Sequence, residues 1–156
     1  MFNSIFFEIC NKEAISGVKK NHGGPFGAVI VKNGKIISKA HNTVIKDNDP
    51  TAHAEVNAIR KAGKKLKSRW LLDCELYSNC KPCPMCLSAI AWARIKTVYF
   101  YRTENDATEI GFIDKPVYDL VQNKKCSISL CQTKIEYKPK VDEFQLWKQK
   151  KDKKNY

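Results

Sequence analysis

Three metal-capable side chains and a carboxylate sit in two short segments, and that pairing limits what this chain can fold into. The first segment is His53-Ala54-Glu55 and the second is Pro82-Cys83-Pro84-Met85-Cys86, with Cys83 thirty positions after His53. If one imidazole and two thiolates share an ion, the fold must bring both segments within a few ångströms of each other. Three protein ligands leave the fourth tetrahedral position of zinc open to water, as catalytic sites do, whereas closed structural sites use four. Zinc at such a site lowers the pKa of bound water from its bulk value to about 7. Glu55, two residues past His53, can stand beside the ion without ligating it and accept that water's proton.

Two other readings of the cysteines stay open at this point. A closed zinc knuckle would take Cys80 as a fourth ligand, although such a site has no need of Glu55. A bacterial-type iron–sulfur run would need a cysteine four positions after Cys86, where Ile90 stands. Cys10, Cys74, Cys126 and Cys131 are expected to be buried, inert thiols.

Around the motifs the pattern alternates between helix and strand. Apolar positions Ile5, Ile9, Ile15 and Val18 predict a helix up to the breaker at Gly23–Gly27. Two β-branched runs around Asn33-Gly34 predict a hairpin. The stretch 47–51 reads as a loop and cap before a helix that ends near Gly63. A strand at 74–79, a helix from the cysteine turn to about Arg94, and a strand at 97–102 follow. Further on, a helix at 114–123, a strand at 127–132 and a final helix at 144–151 are expected. This order predicts one α/β domain over 1–156, three-layer α/β/α with a mixed sheet of about five strands. Each motif opens a helix, so two positive helix ends would point at one site.

Composition narrows the function classes. The 28 Lys and Arg against 16 Asp and Glu give a net charge of +12, which invites a nucleic-acid reading. Only four of those cations are Arg, the residue whose planar fork suits phosphate and guanine. Six cations without an acid lie between Arg60 and Arg69, and five lysines against Asp152 lie in 148–156, both outside the zinc motifs. The charge therefore reads as a lysine-rich shell, with a nucleic-acid partner kept as the weaker option. No apolar run nears the roughly 18 residues of a spanning helix, so no membrane role is expected. The apolar start carries Glu8 and no basic leader, a poor signal peptide, and the expected compartment is the cytosol.

The segments GGPFGAVIVK, DPTAHAEVNAIRKA and PCPMCLSAIAWARI together resemble the cytidine-deaminase-like zinc deaminases, and within them most closely the bacterial guanine deaminases. The likeness is densest over about residues 23–114. It implies a five-stranded sheet between helices, one zinc per subunit on His53, Cys83 and Cys86, and Glu55 as proton shuttle. It further implies Asn42 as the amide that reads the base, Ala54 among the substrate contacts, and Asp114 near the exocyclic amine. Phe26 and Trp92 would stack on a purine. The segment from Phe144 to Tyr156 resembles a tail exchanged between the subunits of a homodimer, so that Tyr156 would close the partner's pocket. The activity implied is hydrolysis of guanine to xanthine and ammonia. The alternatives are a tRNA-adenosine deaminase, a deaminase of guanosine, cytosine or an aminotriazine, and a non-catalytic zinc module. Lys81 departs from the pattern, standing where the family usually carries Glu.

Overall fold

A computed structural model describes residues 3–122 of the chain. Helix α1 (Ile5–Lys19) leads into strands β1 (Gly27–Lys32) and β2 (Lys35–His41), and then into the short helix α2 (Val44–Asp47). Helix α3 (Ala54–Leu66), strand β3 (Cys74–Cys80), helix α4 (Pro84–Trp92) and strand β4 (Thr97–Arg102) follow, then α5 (Glu104–Glu109) and α6 (Lys115–Val121). The four strands form one sheet in the order β2-β1-β3-β4. β1 is antiparallel to both β2 and β3, and β3 runs parallel to β4, so the sheet is mixed as expected.

The hairpin turns where the sequence placed it. Asn33 and Gly34 both have positive φ, 51° and 72°, which two-residue hairpin turns demand. β1 is buried along nearly its whole length because both of its faces are covered. Val29 and Val31 pack with Tyr77 against Phe6 and Cys10 of α1. Ala28 and Ile30 pack with Leu76 against Ala54, Ala58 and Ala62 of α3 and Ile90 of α4. The alanines recur every four residues, one helical face, and their small side chains let α3 lie close on the sheet.

Some expectations are corrected. Helix α3 passes through Gly63 and stops at Lys67, whose φ is 49°, while Ser68 N–H donates to the Gly63 carbonyl at 3.1 Å. Glycine in a helix costs only about 1 kcal/mol against alanine, too little to end a helix whose face is already buried. The capping position of α3 belongs to His53, because the Thr51 hydroxyl and N–H are spent on Asp49 Oδ1, at 2.7 and 2.8 Å. Four strands are described where about five were expected. The candidate strand at 127–132, the helix at 144–151, Cys126, Cys131 and Tyr156 lie outside the described residues. Cys10 and Cys74 are buried free thiols, as expected.

Candidate active site

His53 precedes the first residue of α3 and Cys83 precedes the first residue of α4, so both motifs sit at helix amino termini. Their unpaired N–H groups and dipoles favour negative charge, which suits thiolate ligands. Pro84 at the first position of α4 has no N–H to leave unsatisfied and is preset for the helical φ. His53 Nδ1 lies 3.6 Å from Cys83 Sγ and 3.6 Å from Cys86 Sγ. Tetrahedral zinc with ordinary Zn–N and Zn–S bonds holds its nitrogen and sulfur ligands about 3.6 Å apart. These residues fit that ion.

The protonation of the trio says the same. The hydrogen bond from Cys86 draws the Cys83 thiol down to about 4, with the His53 contact adding to it. Cys86 is pushed far up in return, by that same bond to Cys83 and by burial. Without a cation only one of two adjacent buried thiols can ionise; a dication lets both. Among the described residues, this trio is the group that could hold a metal ion. Cys80 is not part of it. Its thiol donates to the Thr103 carbonyl at 3.4 Å, and burial raises it to about 11, so a closed four-ligand knuckle finds no support.

Glu55 sits in the first turn of α3, 6% exposed, its Oε2 accepting from Cys86 Sγ at 3.5 Å. The buried Ser78 hydroxyl of β3 donates to Oε1 at 3.0 Å. Burial lifts the Glu55 carboxyl above the usual carboxylate range, while the Ser78 bond opposes the rise. A carboxyl shifted in that direction takes up and passes on a proton more readily than an exposed one. Above it opens a cavity of about 750 Å³, whose lining includes Phe26, Asn42, His53, Glu55, Cys83 and Asp114. Phe26 meets the ring of Phe112 edge-on, with centroids 4.9 Å apart. Asn42 is 4% exposed, and its Oδ1 accepts from Val44 N–H at 3.1 Å, leaving the NH₂ group as a donor. Burial raises the Asp114 carboxyl, with the nearby Cys83 charge pushing the same way.

Comparison with known proteins decides the family. Residues 2–102 match the cytidine and deoxycytidylate deaminase zinc-binding region. A guanine deaminase of Bacillus subtilis is 46% identical over 143 residues, 92% of each chain. The chain belongs to the guanine deaminase family. The X-ray structure of the Bacillus subtilis guanine deaminase superposes with a TM-score of 0.91 at 44% identity, covering 100% of this chain and 99% of that one. A tRNA-specific adenosine deaminase of Aquifex aeolicus is 45% identical over 100 residues, 64% of this chain and 66% of its own. Zinc is the cofactor, the His53–Cys83–Cys86 trio is the group among the described residues that could bind it, and the fold is the cytidine-deaminase-like α/β fold.

Two residues read as guanine deaminase substrate contacts are not brought to this cavity. Trp92 closes α4, 64% exposed and away from the lining. A helical rise of 1.5 Å per residue carries it about 9 Å along the axis beyond Cys86. The Ala54 side chain is fully buried against the sheet. Conversely, Ser78 and Phe112 went unread. Ser78 carries one weak signal, a polar residue beside Asn79 at the end of the strand that leads into the cysteine turn; Phe112 carries only its nearness to Asp114. Lys81 lines the cavity, with its Nζ paired to Glu104 at 2.8 Å and 5.5 Å from the centre of the Tyr118 ring.

Proposed function

We propose that this chain hydrolyses guanine to xanthine and ammonia. The observation that carries the reading is the buried Glu55 carboxyl set beside three zinc-competent ligands at the floor of an aromatic-walled cavity. The match to a guanine deaminase along 92% of both chains favours guanine over other bases. His53, Cys83 and Cys86 hold the zinc, which when bound supplies Lewis acidity that makes water nucleophilic at neutral pH. Glu55 takes a proton from the attacking water and delivers it to a ring nitrogen, its Oε1 steadied by Ser78. Asn42 donates from its free NH₂ to the purine edge, and Phe26, braced by Phe112, covers the ring. Asp114 holds the exocyclic amine and hands it the proton with which it leaves as ammonia. Water adds at C2 with its first proton passing through Glu55 to the ring nitrogen; as the C2–N bond breaks and ammonia departs, the C2 hydroxyl gives up its remaining proton, which restores Asp114, so atoms and protons balance.

The wider reading is a single three-layer domain over 1–156, with 127–132 supplying the fifth strand. It works as a cytoplasmic homodimer whose exchanged tails place Tyr156 over the partner's site. No helix among the described residues is long and apolar enough to cross a membrane. The test is ammonia and xanthine release by purified, zinc-loaded protein offered guanine, guanosine, adenine, cytosine and an anticodon stem-loop. Guanine is expected to be the substrate turned over; silence on guanine beside inosine formation in the stem-loop would transfer the assignment to tRNA. Glu55→Ala should abolish turnover while retaining zinc, and an active variant would remove Glu55 from its role.

A further inference from the structure

A chain of three titratable side chains lies behind the cavity wall, on residues that the mechanism does not use. His22 Nδ1 and His41 Nε2 are 2.9 Å apart, and His41 Nδ1 is 3.2 Å from Glu13 Oε2. Glu13 Oε1 also pairs with Lys39 Nζ at 3.1 Å. The His41 ring is wedged against α1, so close that a Cβ on Gly17 would fall 2.8 Å from it. Each histidine immediately precedes a residue that shapes the amide of Asn42. His41 is followed by Asn42 itself. His22 is followed by Gly23, whose bare Cα faces Asn42 so closely that a Cβ there would lie 2.1 Å from Oδ1. The His22 carbonyl accepts from Ile45 and Lys46 N–H, at 3.1 and 3.0 Å, and so anchors α2, whose Val44 N–H orients Asn42 Oδ1. The His22–His41 bond thus ties together both segments that enclose the amide.

We propose that Glu13, His41 and His22 are positioning residues for Asn42, forming a relay whose closure sets the affinity for the base. The inference rests on the guanine reading above, in which Asn42 touches the purine. A bond between two imidazoles needs one ring nitrogen without a proton. His41 Nδ1 is turned to Glu13, so the bond between the rings stands while one of the two facing nitrogens lacks a proton. It fails when both facing nitrogens carry a proton, because donors then face donors. Burial, and after it the charges of His41, Lys46 and Lys20, hold His22 toward its neutral form, with Asp47 opposing them. The groups facing the relay are therefore Glu13 from α1, Lys39 from β2, Lys20 from the loop after α1, and Lys46 and Asp47 from α2.

The test measures KM and kcat for guanine from about pH 8 to about pH 5.5 with zinc-loaded protein. In the unaltered chain KM should rise about three- to tenfold as pH falls below about 6.5, the size of one lost net hydrogen bond, whereas the acid loss of kcat through Glu55 should be the same in the unaltered chain and in His22→Asn. His22→Asn keeps an amide near the Nδ1 position and cannot titrate there; it should keep the neutral-pH KM and lose the acid rise. His22→Ala should raise KM about three- to tenfold at every pH. As a readout independent of turnover, the side-chain amide resonance of Asn42 should shift on acidification in the unaltered chain and stay fixed in His22→Asn. A flat KM in the unaltered chain, or an Asn42 amide that shifts equally in both proteins, overturns the relay. Absence of guanine turnover at any pH overturns the substrate reading instead, and the amide resonance then decides the relay.

Discussion

Removing one hydroxyl should expose how Glu55 is tuned. Ser78 is fully buried, and its Oγ donates to Glu55 Oε1 at 3.0 Å inside the wall beneath the cavity. That bond favours the carboxylate, whereas burial favours the protonated acid and already holds Glu55 above the usual range. Ser78→Ala leaves burial unopposed on that oxygen, so less of the base form exists at a given pH. A hydrogen bond to a charged group contributes about 1.5–3 kcal/mol, which corresponds to roughly 10- to 150-fold in kcat/KM. The sign is fixed by the direction of the shift. Since the carboxyl is raised, activity needing its carboxylate fades as pH falls, and the variant should lose most on the acid side and recover toward alkaline pH. The assay is kcat/KM for guanine across pH, with zinc measured in each preparation. Ser38→Ala is the control: its Oγ donates to the Ala58 carbonyl at 2.8 Å, with no carboxylate involved. Ser38→Ala should lose about 1 kcal/mol of stability and Ser78→Ala at least as much, and only Ser78→Ala should lose activity. A Ser78→Ala protein with full zinc and kcat/KM within about twofold of the unaltered chain at every pH would refute the reasoning.

Two further outcomes are expected. Leu76 is fully buried in the central strand β3 against the α3 alanines, so Leu76→Ala should cost about 2–5 kcal/mol in urea unfolding, and a loss below about 1 kcal/mol would show that the core closes differently. In protein stripped of metal, Cys83, drawn down to about 4, is a thiolate at pH values where ordinary cysteines are protonated; alkylation should therefore proceed at mildly acidic pH and stop on zinc addition, and equal rates with and without zinc would remove Cys83 from the ligand set.

The parts of the fold visible in the sequence are those whose pattern has a local cause. Helix α1, the hairpin at Asn33-Gly34, α3, β3, α4, β4 and α6 each follow from apolar periodicity or turn chemistry. The missed elements lack that pattern. Helix α2 has only four residues, and part of what holds it is the carbonyl of His22, twenty-two residues before its start. Helix α5 buries only Ala107, so no apolar stripe announces it. Its signal was the capping box, in which Thr103 Oγ1 accepts from Asp106 N–H while Asp106 accepts from Thr103 N–H, and that spacing can be read from a sequence.

In the site, chemistry was legible and placement was not. His53, Glu55, Cys83 and Cys86 stand out because few side chains can ligate zinc or shuttle a proton, and the fold brings them together as their spacing required. Ser78 is an ordinary serine until the pairing of β1 with β3 and the packing of α3 set it under a carboxylate 23 positions away. Trp92, six residues past Cys86 on the same helix, lies outside the lining of this chain's cavity.

The positive charge on α3 is placed by the same geometry. Helix α3 carries His53 at its start and Lys64 and Lys65 in its last turn, so about 15 Å of helix separates those cations from the ligand trio. That exceeds the Debye length of about 8 Å at physiological ionic strength, and the lysines add little field at the cavity. Among the described residues lining the cavity, Lys81 is the one lysine or arginine, and Glu104 faces its ammonium at 2.8 Å. A polyanion would need unpaired cations at this mouth to hold its phosphates. A neutral base needs an aromatic wall, an amide and a buried carboxyl, and Phe26, Asn42 and Glu55 supply them.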